Sequence, residues 1–491
     1  AREEKKTKGK QGTKILSSGN SGAMRITWQR SRAGPYIPCL HPNIALFWSK
    51  SGGTLGGIKT VGVTMPFDPL ARPEPTQPGP RKRPAQATRL WPDLLGLLRR
   101  KPETDLDSLS KRILLPSLPV TDEETARAMH QDRGQKLARQ DMWPELAQVI
   151  EYTDAARLRT PGGENATTLL AVGARADVVA AAEDALHDGA EPDPSGIDAL
   201  EEMQAEHPDS YPCALIVALA HIDIGWAWRT TATDRTRATH ELRFLEHFKR
   251  AEDILTPFDG VDLDAPSLAA AQCALLAARR QPRMRVADDY ERLIDLDPDS
   301  PRHMRALGEA LLPARYGSYE MLDLEARRTA ARTGEIWGTG AYAWVYFDAL
   351  ALDPGAMTHL DSEFFVDGLR DIVARRRDQH VINQLSAFCG IVMAPKTGKQ
   401  RLSGATEAAR RRIHDCLDWL LENHLQELHP LIWSQTLLSP GLTPSLPSRR
   451  ALVAKGRQTA LRVIAQRFTE DIADGSSIAF SSSGMYRLPA L

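Results

Sequence analysis

The histidines are the residues whose type and spacing most invite a chemical reading. His221 and Asp223 stand in the run His-Ile-Asp-Ile-Gly-Trp-Ala-Trp, which ends at Trp228. An imidazole near a carboxylate is a minimal pair for general acid–base work. An enzyme centred on His221, Asp223 and Trp226 is therefore one reading of the chain. The competing reading is a hydrogen-bonded histidine in a core helix, and the apolar residues around it favour that one. His240 and His247 share a helix face but lie two turns apart, roughly 10 Å, too far to hold one ion. His424 and His429 would point about 140° apart on a continuous helix. His414, Asp415 and Cys416 are consecutive, and adjacent helical residues face different ways. No metal and no other cofactor is expected.

Phosphate chemistry is poorly signalled. The stretch Met-Ala-Pro-Lys-Thr-Gly-Lys-Gln at 393–400 has the flavour of a P-loop. Gln400 stands where that loop requires Ser or Thr, and Gly390 lies eight residues before Gly398 rather than five. A polar loop between helices is expected there. Arginines at 375–377, 410–412 and 327–328 could face a nucleic acid or an acidic partner. Consecutive helical residues splay around the axis, however, so a triplet is not itself a patch. Residues 1–67 carry eleven Lys or Arg and two Glu, a net +9, which leaves −10 for the remainder of a chain whose total is −1. An acidic body argues against general nucleic-acid affinity.

The stretch that organises the rest runs from Ser300 to Pro354. Ser300-Pro301 reads as an N-cap followed by proline in the first turn. Met304, Leu307, Leu311 and Leu312 then form an apolar face. Ser318 is placed to cap a second helix, and Gly334 to end it in a left-handed conformation. A third helix is expected from near Trp337 to the Leu-Asp-Pro-Gly turn at 352–355. Its aromatic residues surround most of its circumference, the pattern of a helix sandwiched between neighbours. A stacking or cation–π pocket is the functional alternative. Its candidate binding residues are Arg315, Tyr316, Trp337, Tyr342 and Tyr346; none is assigned a catalytic role.

At 491 residues the chain has room for several domains or one extended repeat domain. The five cysteines, Cys39, Cys213, Cys273, Cys389 and Cys416, are scattered, as expected of reduced thiols in the cytoplasm. The longest purely apolar run, Cys213 to Ala220, is far shorter than a membrane span. Residues 1–87 read as disordered and low in complexity, with much of 1–64 expected upstream of a natural start at Met65 or Met24. Residues 88–120 read as a linker with a short amphipathic helix, 121–474 as a helical-repeat domain, and 475–491 as a tail. Helices are expected near 121–138, 142–158, 164–187, 195–206, 211–228 and 234–255. Further helices are expected near 265–280, 284–295, 361–376, 379–393, 404–424, 426–437 and 448–473. A strand-like run appears only around Ser477–Phe480.

Three helix-ending turns, Glu-His-Pro-Asp at 206–209, Leu-Asp-Pro-Asp at 296–299 and Leu-Asp-Pro-Gly at 352–355, resemble those that close a tetratricopeptide unit. Tyr290 lies eight residues before Pro298, Tyr346 eight before Pro354 and Ala349 five before it, which resembles the second helix of that repeat. The Trp-x2-Leu-Gly-x2-Tyr pattern of the first helix is missing, and the prolines are 90 and 56 residues apart. The chain is therefore similar to a degenerate tetratricopeptide protein over about 120–395. Leu311 to Phe347 is also similar to a motif of bacterial helical-repeat proteins of unassigned activity. The resemblance implies an all-α, right-handed solenoid of helical hairpins that binds a protein or peptide in a groove and is not an enzyme. That groove is expected along Tyr211–Arg250 and Pro301–Phe347.

Overall fold

The computed structural model describes residues 103–279, 286–395, 403–438 and 448–489. The low-complexity region 1–87 expected from the sequence, Cys39, and the P-loop-like residues 396–400 lie outside the described residues. The described chain is mostly helical, with one small sheet.

The N-terminal half contains α1 (Glu103–Arg112), β1 (Ile113–Leu114), α2 (Asp122–Arg139), α3 (Trp143–Ala155), α4 (Ala166–His187) and α5 (Ser195–Glu206). It continues through α6 (Tyr211–Thr230), α7 (Arg237–Leu255), α8 (Pro266–Ala274) and α9 (Val286–Leu296). Then come α10 (Pro301–Ala310), α11 (Tyr319–Arg332), the single turn α12 (Gly334–Trp337), α13 (Gly340–Leu352), α14 (Ser362–Arg375) and α15 (Gln379–Ala387). The last part has α16 (Gly404–His414), α17 (Cys416–Asn423), α18 (Pro430–Gln435), α19 (Arg449–Arg467), α20 (Thr469–Ala473), β2 (Ser477–Ser481) and β3 (Gly484–Leu488).

Local chemistry accounts for the helix starts. Thr121 and Glu124 form a reciprocal capping box at α2. Asn165, Ser210, Ser318, Asp361 and Asp378 each accept a backbone N–H at the start of α4, α6, α11, α14 and α15. Gly334 does not end α11 in a left-handed conformation; it opens α12, and the positive φ of 59° falls at Gly338. A Cβ at Gly338 would also meet the Asp371 carboxylate at 2.3 Å, so glycine is needed there twice over. The helix expected over 404–424 is broken at Asp415, and that over 448–473 at Phe468. Past Ala387 the α15 backbone widens into a π-turn over Phe388–Val392.

The main helix pairs lie within three helices of each other in the chain: α2 on α4, α4 on α6, α6 on α7, α10 on α13 and α13 on α14. α6 is buried on almost all sides, in keeping with an apolar sequence interrupted mainly by His221 and Asp223. By length and composition it is the one described helix that could cross a membrane, yet 89% of its most apolar stretch is buried inside the fold. The largest core gathers around α10, α13, α14 and α17, and a second around α4, α6 and α7.

The tail and the linker, separate in the sequence reading, share one sheet. β2 pairs parallel with β1, Ile113 opposite Ile478, and antiparallel with β3. Ile113, Ile478 and Phe480 are buried. Leu118 N donates to Leu428 O at 2.9 Å, Leu428 N to Pro116 O at 2.7 Å, and Arg449 pairs with Glu124 at 2.7 Å. The first and last described elements are thus fastened together.

Candidate functional site

A cavity of about 800 Å³ opens between the 190–197 segment and helices α4, α6 and α7. Its apolar wall includes Val178, Ala181, Pro192, Ile197, Ile224 and Trp228. Antiparallel packing of α6 on α7 brings His221 and His247 into this wall, with their Nδ1 atoms 2.9 Å apart. One of these nitrogens carries the proton and the other accepts it. His221 Nε2 meets Glu201 Oε1 at 2.9 Å, and Arg250 grips Glu201 through two bonds of 3.0 and 2.6 Å. The Arg250 hydrogen bond holds the Glu201 carboxyl below its usual range. Burial lowers both imidazoles, His247 to about 4, so the pair is neutral at pH 7.

The other charges at the rim are engaged within the chain. Arg243 bonds Glu191 at 2.8 Å and Glu246 at 3.1 Å, and Asp177 accepts from Arg139 and Gln135. What the cavity offers an occupant is therefore mainly apolar surface between satisfied polar groups. Outside it, α7 exposes Leu242 and Leu245, 56% and 42% accessible, beside the cavity-lining residues Arg243 and Glu246.

The triad considered from the sequence separates. Asp223 turns away from His221 and forms a fully buried ion pair with Arg175 at 2.7 Å. Trp226 packs edge-on against Phe244 and Phe248 in the core. Glu201 and His247, which complete the cluster around His221, were missed. His240 instead contacts Trp228, its Nδ1 2.7 Å from the Trp228 carbonyl. His414 holds Cys389 O at 2.8 Å, while Asp415 pairs with Arg467. Among the described residues no group of three potential ligands is arranged for a metal.

Of the five binding candidates, Trp337, Tyr342 and Tyr346 are buried in the main core. Trp337 Nε1 donates to Pro298 O at 2.9 Å, and both tyrosine hydroxyls point at Asp323, at 2.7 and 3.3 Å. Their cationic neighbours are Arg376 over Trp337 and Arg327 over Tyr342. Tyr316 is half-buried against the same core. Arg315 is nearly buried and faces Glu309 at 3.4 Å. Five arginines of the runs are paired within the chain: Arg375 with Asp371, Arg376 with Asp299, Arg327 with Asp323, Arg410 with Glu407 and Arg412 with Glu363.

A second polar constellation lies inside the molecule, where α2, the 160–165 loop, α10, α13 and α15 converge. Glu164 is held by Arg127 on one oxygen and by Arg302 on the other. Arg305 binds Asp348 with two bonds of 2.8 Å. Burial pushes Glu309 up to about 7, with Asp348 adding to the effect. Burial also lowers His380 to about 4. The sequence showed none of this, because the partners sit on different elements far apart in the chain: Arg305 is 43 residues from Asp348 and Arg302 138 from Glu164.

No family model matches the chain, and no curated protein or solved structure matches it.

Proposed function

We propose that this protein is a non-catalytic helical-repeat scaffold that takes an extended protein or peptide segment in the cavity beside His221 and His247. The observation that carries the reading is the apolar cavity whose bounding helix α7 continues outward in exposed leucines. A small ligand would use the cavity alone, whereas a polypeptide could bury an anchor side chain there and cover Leu242 and Leu245 as well. The scaffold would be a right-handed, tetratricopeptide-like array, in line with main helix pairs that lie close together in the chain. Four buried free thiols, Cys213, Cys273, Cys389 and Cys416, suit a cytoplasmic setting.

Peptide display against the full-length chain tests the proposal. The expected outcome is enrichment of sequences with one large apolar residue, competed by a single such peptide. Failure to enrich any sequence over a bait with Ala181→Trp, which fills the cavity from an exposed helix position, would count against it.

One observation favours an enzyme as second reading: Glu201, His221 and His247 form a carboxylate–imidazole–imidazole relay at the cavity wall. A base lowered to about 4 is weak at pH 7, which ranks this reading second. Turnover lost in His247→Gln, with peptide binding kept, would reverse the order.

A further inference from the structure

A second cavity, of about 430 Å³, opens between the C-terminal part of α14 and the end of α17. Arg370, Val373 and Ala374 line it from α14, where spacings of three and four residues put them on one face, and Arg377 follows just past the helix. Trp419 of α17 and His424, the residue after that helix, line it from the other side, their rings edge to face with centroids 5.4 Å apart. Val373 is buried, Trp419 and His424 are half-buried, and the two arginines are exposed, so apolar surface lies beneath positive charge.

That charge is not neutralised. Arg377 makes no ion pair and no hydrogen bond among the described residues. Arg370 spends only Nη1 on Asp367, at 3.1 Å, and keeps the rest of its fork. The carboxylates nearby in the chain are turned to other partners: Asp371 to Thr339 and Arg375, Asp378 to the N–H of Val381, Asp418 to Arg467 and Glu422 to Arg487. The field of Arg377 is felt at His424. Burial lowers that imidazole and the Arg377 charge lowers it further, which leaves it neutral at pH 7. Its ring nitrogens have no hydrogen-bond partner among the described residues.

We infer that this cavity binds a small apolar acid, its anionic group held by Arg377 and Arg370 and its body laid against Trp419 and Val373. The body gains by covering indole and aliphatic surface. The anion meets a guanidinium with no competing carboxylate, and hydrogen bonds between ionised partners are the strong ones. A volume of this size suits a small molecule, and a few polar groups over an apolar wall are what orient one. The cavity shares no residue with the one beside His221.

Isothermal titration of the full-length chain with naphthoate, with its uncharged carboxamide and with naphthyl phosphate, at matched ionic strength, tests the inference. One saturable site for a naphthyl anion is expected, with the carboxamide at least tenfold weaker. Arg377→Gln should weaken the anion at least tenfold, and so should Ala374→Glu, which sets a carboxylate at an exposed position of the wall. Ala181→Trp, which fills the cavity beside His221, should leave the affinity unchanged. Tighter binding of naphthoate would assign the site to carboxylic acids, and tighter binding of naphthyl phosphate to phosphomonoesters; both support the inference. No saturable binding of either anion, a carboxamide as tight as naphthoate, or wild-type affinity in both Arg377→Gln and Ala374→Glu would overturn it.

Discussion

At the scale of single residues, burial sets ionisable groups against one another. Glu309 is pushed up to about 7 from a usual 4.5 by burial, and Asp154, held by Ser267, is raised to about 6 from 3.8 for the same reason. Their contribution to stability is complete below the usual carboxyl range and lost as pH rises through the folded values. His247 and His380, each lowered by burial from 6.5 to about 4, act oppositely: their contribution is complete above 6.5 and lost as pH falls toward 4. Between pH 7 and 5 the carboxyls offset the histidines. In Glu309→Gln one offsetting group is gone, so unfolding in urea should show a steeper acid loss than the wild type. The extra loss is expected to be on the order of 1–2 kcal/mol across that window. Parallel stability–pH curves would show that Glu309 titrates normally in the folded chain.

Between elements, helix pairs are set by close approach. A Cβ on Gly308 of α10 would lie 1.8 Å from Val345 O on α13. Gly134 and Gly173 play the same part where α2 crosses α4, with clashes of 2.1 and 1.9 Å to the opposing backbone. Gly308→Ala must push α10 off α13, and overpacking of this kind costs about 1–3 kcal/mol. Chemical denaturation should show that loss, and a change within error of zero would mean the pair tolerates separation. Element boundaries were largely legible in the sequence because they depend on local chemistry, as Thr121 and Glu124 at α2 show. Some of the site was legible too. The α6–α7 turn centres near residue 234, and reflection about it pairs His221 with His247 and Trp228 with His240, as the structure does. Asp223 could not be assigned this way, since its partner Arg175 sits on α4 and depends on how a third helix is rotated. Arg127, Glu164 and Arg302 were illegible for the same reason at longer range: no local period reports which distant helices converge.

At the scale of the molecule, the C-terminal hairpin closes the chain on its first described elements. β2 supplies the partner of β1, and Arg112 donates to Gly475 O. Removing residues 476–491 should leave most helices folded, because the main helix pairs lie close together in the chain and do not involve the hairpin. Hydrogen exchange should rise at Ile113–Leu114 and at 116–118, and stay low in α4, α6 and α7. Unfolding of the entire chain on that truncation would instead make the hairpin essential to a single cooperative unit.

The central claim is that the cavity beside His221 and His247 is where a polypeptide docks. Its most direct test is the affinity of one display-selected peptide for the wild type and for Ala181→Trp, read by fluorescence anisotropy alongside the two melting temperatures. Ala181 is an exposed wall residue, so the variant should melt as the wild type does and bind at least tenfold more weakly. Equal affinity in a folded Ala181→Trp protein would place the peptide elsewhere and contradict the account.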